Sequence, residues 1–210
     1  MSEKKRIAIC MILSWSYIPA KFFYSYNAMK DFAFAMGYTF DIITARGAWI
    51  DTMRDDVAME AVAMKPDYML WLDADQTYPD YTAVKLAKHI DDGHLVVGGV
   101  TPDRYLEINN INCFGGKHGV YNARDLKMNQ GLVKIDAQGY GGVMTHPSVF
   151  ETIKYPRFQR DWVEGDDGDY YRNGEDVVFF RKCREAGIDC YCDTDLHFGH
   201  MALREIQVYE

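Results

Sequence analysis

The chain has 210 residues, 48% of them hydrophobic and 14% aromatic, which suffices for one domain with a sizeable core. Its 23 Lys and Arg against 31 Asp and Glu leave a formal charge of −8, which disfavours a broad electrostatic grip on nucleic acid. No apolar stretch reaches the length of a membrane span, and the basic N-terminus leads into too short an apolar run for a secretory signal, so the chain is read as soluble and cytoplasmic.

The elements follow in order. Arg6 to Leu13 is a continuous apolar run and reads as a buried strand. Ser14 to Pro19 is a polar and aromatic turn. Phe22, Tyr26, Met29, Ala33 and Met36 recur at helical spacing, and Gly37 can close that helix in the left-handed conformation. Tyr38 to Thr44 is a second strand. A loop, Ala45 to Trp49, precedes a second helix from about Ile50 to Met64 with Met53, Val57, Ala61 and Met64 as its apolar stripe.

Tyr68 to Leu72 then runs, without alternation, straight into Asp73-Ala74-Asp75. Such a run reads as a strand buried on both faces, and ligands bind beyond the C-terminal ends of strands in open α/β sheets. Side chains two apart on a strand point the same way, so Asp73 and Asp75 can face one hard divalent cation. Two further D-x-D pairs, Asp167/Asp169 and Asp193/Asp195, lack this delivery by a buried strand.

Pro79 suits the first turn of a helix reaching about Ile90, and Leu95 to Gly99 is another buried strand. The β-α-β-α-β-α-β order implies a mostly parallel central sheet with helices on both faces. Residues 100 to about 130 lose this rhythm and read as a long excursion. Gly131 to Ala137 is a short strand, Gly139 to Met144 a glycine-rich turn into another, and a helix starts near Pro147. The glycines match neither common nucleotide fingerprint but let the backbone approach a ligand. Tyr155 to Asn173 reads as a loop. A helix opens at Gly174-Glu175-Asp176, and Cys190 to Cys192 is a last short strand before Leu196 to His200.

Five cysteines form an odd count without a framework, which fits reduced, mostly buried thiols. Cys190 and Cys192 with His197 and His200 invite a zinc check, but their spacing does not match the common structural patterns. Asp73/Asp75, Glu175/Asp176 and His200 are a better set: carboxylates with one imidazole suit Mn²⁺ or Mg²⁺ with positions open for phosphate oxygens. The bland readings are acids complementing a helix dipole at Glu175 and Asp176, and a helix cap at Asp75.

Four places together resemble the GT-A fold glycosyltransferases, in particular the inverting, nucleotide-sugar-dependent family 2 type. They are the first strand with its Ser14-Trp15 turn, Arg54 with the strand ending in Asp73-Ala74-Asp75, the Gly139 to Met144 turn, and Gly174-Glu175-Asp176 through Gly199-His200. The resemblance spans roughly residues 5 to 202. It implies a single α/β domain over 1–210 with a GT-A (Rossmann-like) sheet. Residues up to about 100 would form the nucleotide-sugar half, and about 101–203 the acceptor and catalytic half.

By this resemblance Asp75 ligates the metal, Asp73 contacts the ribose or the metal, and His200 completes the metal site, with His197 as a rival. Asp176 deprotonates the acceptor hydroxyl and Glu175 orients the acceptor. Ser14, Trp15, Asp41, Thr44 and Arg46 hold the nucleotide, Arg54 and Ala74 sit at the donor, and Tyr140, Gly141 and Gly142 line the acceptor side. The donor is a nucleotide sugar, UDP-linked by default. The acceptor is a glycan or another hydroxyl, a modified viral DNA base being the case that the negative charge disfavours. Two alternatives are weighed beside it. A nucleotidyltransferase would need a glycine-rich basic loop after the first strand, and a non-catalytic nucleotide- or carbohydrate-binding module would not need the acidic set.

Overall fold

A computed structural model of the chain describes residues 4–13, 18–47, 49–102, 110–114, 121–122, 126–164 and 170–201. The first half alternates as the apolar runs require: β1 (Arg6–Ile12), α1 (Ala20–Ala35), β2 (Thr39–Ala45), α2 (Ile50–Ala63) and β3 (Tyr68–Asp73). A two-residue strand β4 (Gln76–Thr77), α3 (Thr82–Asp91) and β5 (Val96–Val100) follow. The second half is more broken. It holds β6 (Asn110–Phe114), β7 (Tyr121–Asn122), β8 (Leu132–Ile135), β9 (Ala137–Gln138), β10 (Val143–Thr145) and the short α4 (Ser148–Thr152). It closes with β11 (Asp161–Glu164), β12 (Tyr170–Asn173), α5 (Glu175–Glu185), β13 (Cys190–His197) and β14 (Gly199–His200).

Seven strands make the central sheet, in the order β2-β1-β3-β10-β5-β13-β8, and the architecture is a Rossmann-like α/β fold. The β1–β2, β1–β3 and β5–β13 pairs are parallel. The expected parallel array is broken at two places: the edge strand β8 pairs antiparallel with β13, and β10 inserts antiparallel between β3 and β5. For β10 the cause is the glycine turn before it. Gly142 adopts a φ of +80°, which a side chain would strain, and its N–H donates to the Trp71 carbonyl at 2.7 Å, so the chain folds back along β3.

Each face of the sheet carries its own apolar layer. Phe22, Tyr26, Met29 and Ala33 of α1 pack with Ala83, Leu86, Ala87 and Ile90 of α3 against Ile7, Ile9, Leu70 and Leu72. On the other face Met53, Val57 and Ala61 of α2 meet Phe179, Phe180 and Cys183 of α5, Phe150 of α4, and Cys10, Met69 and Trp71. Alternate residues of β1 and β3 thus serve opposite layers, which is why their sequences show no polar alternation. Met36, placed by its spacing on the α1 stripe, is instead exposed beyond the helix end, where Gly37 turns the chain at φ +94°.

Two stretches read as irregular contain strands. Part of the excursion after residue 100 forms a small sheet, β7-β6-β9, and the segment before α5 is the hairpin β11–β12. Neither shows a buried apolar run, and pairing rather than periodicity defines them. All five cysteines are buried and reduced, as their spacing suggested. No helix among the described residues is long and apolar enough to cross a membrane.

Candidate active site

The site forms where β3 ends. Asp73 is its last residue, and the Asp73 N–H donates to Tyr78 Oη at 2.9 Å. The same hydroxyl lies 3.2 Å from the Asp73 carbonyl and 3.1 Å from Gln76 Oε1, so one buried tyrosine clamps the strand end and the turn after it. Ala74 packs against the apolar layer of α1 and α3 and takes no place in the cavity.

A second clamp brings in the far end of the chain. β4 pairs antiparallel with β14, setting Thr77 opposite Gly199 and Gln76 opposite His200. The Met201 N–H donates to the Asp75 carbonyl at 2.8 Å. Gly199 is needed there, since a Cβ would lie 2.3 Å from Thr77 Oγ1. The result sets His200 Nε2 3.5 Å from Asp75 Oδ2. His200 Nδ1 lies 2.8 Å from the Pro102 carbonyl, which only accepts, so the proton sits on Nδ1 and Nε2 carries the lone pair in the neutral ring. His197 is directed elsewhere: its Nε2 bonds the Thr194 carbonyl at 2.8 Å.

Helix α2 contributes Arg54, 3% exposed, through the gap between β3 and α5. Its Nη2 lies 3.4 Å from Asp73 Oδ1 and its Nε 3.3 Å from Glu175 Oε1. The guanidinium carbon stands 4.9 Å from the centre of the Tyr140 ring. A buried cation between two carboxylates and over an aromatic face is held in one geometry. Glu175 also meets Arg160 at 3.8 Å.

Asp176, on the first turn of α5, accepts from the Val177 N–H at 2.8 Å. Gly174 makes room for it, because a Cβ there would come within 2.6 Å of Asp176 Oδ1. Desolvation, with the neighbouring Glu175 charge, pushes the Asp176 carboxyl up to about 6, despite the opposing pull of Arg54. Burial likewise raises Asp73 above the ordinary carboxylate range, against the pull of Arg54.

Asp73, Asp75, His200, Arg54, Glu175 and Asp176 line one cavity of about 230 Å³. Gln76, Asn112, Ile50, Gly139 and Tyr140 complete its wall. Gln76, Asn112 and Arg160 were not singled out from the sequence. The polar Gln76 directly after Asp73-Ala74-Asp75 was the one signal available for them.

The remaining expected residues fall into three groups. Ser14 and Trp15 lie outside the described residues. Asp41 is bound to Arg6, its Oδ2 2.7 Å from Nη2, near the start of β2 and away from the strand ends that form the cavity. Thr44 and Arg46 are exposed at the far end of β2 and do not line the cavity. On the acceptor side Tyr140 is buried at 1% exposure, its ring against Trp71, Phe158 and Phe179. Gly141 and Gly142 are filled in by neighbours: a Cβ on Gly141 would stand 2.7 Å from Asp73 Oδ2, and one on Gly142 2.1 Å from Phe198. These three residues build the wall and offer a ligand little surface.

Among the described residues no group of three or more His, Cys, Asp or Glu side chains is gathered for a metal. Asp75 with His200 could hold one through two donors. Their 3.5 Å separation is near the ~3 Å between adjacent donors of a six-coordinate ion with ~2.1 Å bonds, and such ions commonly take their other ligands from water and substrate phosphate.

No protein-family model and no curated protein matches the chain. Among solved structures it is similar to the crystal structure of A197 from STIV, at 18% identity and a TM-score of 0.62. The match covers 94% of this chain and 86% of that one, and at this identity it is a likeness of fold.

Proposed function

We propose that this chain, a Rossmann-like domain with one acidic cavity at its strand ends, is a metal-dependent glycosyltransferase. It would move one sugar from a nucleotide-sugar donor to an acceptor hydroxyl with inversion. The observation that carries the reading is the convergence of Asp75 and His200, Arg54, and Asp176 on the same 230 Å³ cavity from four separate segments.

The roles follow from the chemistry of each group. Asp75 and His200 would hold Mn²⁺ or Mg²⁺, which supplies charge neutralisation for a departing diphosphate. Arg54 holds Asp73 and Glu175 in place at 3.4 and 3.3 Å, and its fixed positive charge favours the anionic donor side. Asp176, at about 6, is ionised at neutral pH yet basic enough to take a proton. It would accept the acceptor hydroxyl's proton as that oxygen bonds to the anomeric carbon. The carbon–phosphate-oxygen bond breaks in the same step, and its electron pair leaves with the nucleoside diphosphate.

The test is donor turnover. Purified protein with Mn²⁺ and a panel of nucleotide sugars should release nucleoside diphosphate from at least one donor, and Asp176→Asn should lose transfer while still binding the donor. Wild-type turnover in Asp176→Asn, or no turnover of any donor, would overturn the reading.

A further inference from the structure

The acceptor side of the cavity poses a problem for recognition. Tyr140, Gly141 and Gly142 are walled in by Trp71, Gln76 and Phe198, so an acceptor must be gripped by residues that are exposed and still adjoin Asp176. The hairpin β11–β12 meets both conditions. Its second strand ends at Asn173, and only Gly174 separates it from the turn of α5 that bears Glu175 and Asp176.

Pairing in the hairpin sets Trp162 opposite Arg172 and Glu164 opposite Tyr170. Residues 162, 170 and 172 therefore belong to one face, with Trp162 and Tyr170 as diagonal neighbours roughly 7–8 Å apart. Trp162 is 64% exposed and Tyr170 65%, and Arg172 is exposed with them. The opposite face is tied down. Asp161 accepts from Asn173 Nδ2 at 3.2 Å and from Arg181 of α5, and Arg160 beside it reaches Glu175. A hairpin pinned on one face and bearing two exposed rings on the other is an aromatic platform.

We infer that Trp162 and Tyr170 form a stacking subsite for the sugar rings of an oligosaccharide acceptor. The inference rests on the glycosyltransferase reading and names the acceptor class for the same site. Hexose rings present a face of C–H groups that packs on indole and phenol rings, while their hydroxyls bond exposed groups such as the Arg172 guanidinium. Arg172 lies four residues before Asp176, at most about 14 Å along an extended chain, so a short oligosaccharide can span both. Single-stranded nucleic acid also stacks on aromatic rings, but it is the poorer fit to a chain of charge −8.

Binding of hexasaccharides of glucose, N-acetylglucosamine and mannose, followed by saturation-transfer NMR without any donor, tests the subsite separately from turnover. At least one should bind saturably, and Trp162→Ala and Tyr170→Ala should each weaken it roughly 5- to 10-fold, the size of one aromatic contact. Tyr24→Ala, at an exposed ring on α1, should leave it unchanged, and all three variants should keep the wild-type melting temperature. Absence of binding by all three sugars overturns the inference, as does binding indifferent to Trp162 and Tyr170. Trp162-dependent binding of an oligothymidylate with none of the sugars does so too. A failure of donor turnover with intact sugar binding would instead sink the transferase reading.

Discussion

His200 stands 3.5 Å from Asp75 because the two-residue strands that flank them pair with each other, Gln76 opposite His200. Each strand is too short to persist alone, so the contact depends on the Met201 N–H to Asp75 carbonyl bond and on the absence of a side chain at Gly199. Asp75→Ala or His200→Ala should lower the Mn²⁺-dependent affinity for a nucleoside diphosphate by at least roughly tenfold, the range seen when metal-site partners are removed. Calorimetric titration of UDP with and without Mn²⁺ measures this, and unchanged affinity in both variants would remove the pair from the metal.

Asp176 ties activity to stability with opposite signs. Its folded value of about 6 lies above the ordinary carboxylate value, so the folded state holds the proton more tightly than the unfolded chain does. Stability should therefore fall as pH rises from about 4 to about 6, and the cost, on the order of 2–3 kcal/mol, persists above that range. Asp176→Asn should melt higher than wild type at pH 7, with the gain gone near pH 4. Over the same window the transfer rate of the wild type should rise with pH and level off above about 6, since only the carboxylate accepts a proton. Melting curves that coincide at pH 7 would contradict the strained-carboxylate account.

Arg54 is the one buried cation between Asp73 and Glu175, among the described residues. Arg54→Met would leave Asp73 in a desolvated wall without its counter-charge and Glu175 with only the more distant Arg160, at a cost of about 3–5 kcal/mol. Urea denaturation at pH 7 reads this directly. The loss should shrink as acid protonates Asp73, whose carboxyl is already held above the ordinary range by burial, and a pH-independent loss would point to packing against Tyr140 as the cause instead.

Gly142 combines a φ of +80° with Phe198 carbons that a Cβ would meet at 2.1 Å. Gly142→Ala should cost about 2–4 kcal/mol from backbone strain and overpacking together. Gly37 has φ +94° but open space around it, so Gly37→Ala should cost only the strain, about 1–2 kcal/mol. Equal losses at the two positions, measured by chemical denaturation, would show that Phe198 yields freely.

The first half of the fold was legible in the chain because its signals are local. Continuous runs such as Ile7 to Leu13 and Tyr68 to Leu72, and the spaced Phe22, Tyr26, Met29 and Ala33, are set by which neighbours along the chain must be buried together. Asp73, Asp75, Asp176 and His200 could likewise be picked out as chemistry-bearing residues at the ends of such elements, and Arg54, inside α2, only through the family resemblance. Only the tertiary structure decided which of them meet. It sent Asp41 to Arg6, turned His197 away, closed Tyr140, Gly141 and Gly142 into the wall, and inserted β10 against the direction of its neighbours. It also made a hairpin of the stretch around Trp162 and Tyr170. These outcomes depend on hydrogen bonds and steric fits between segments far apart in sequence, and no periodicity within a segment encodes its partner.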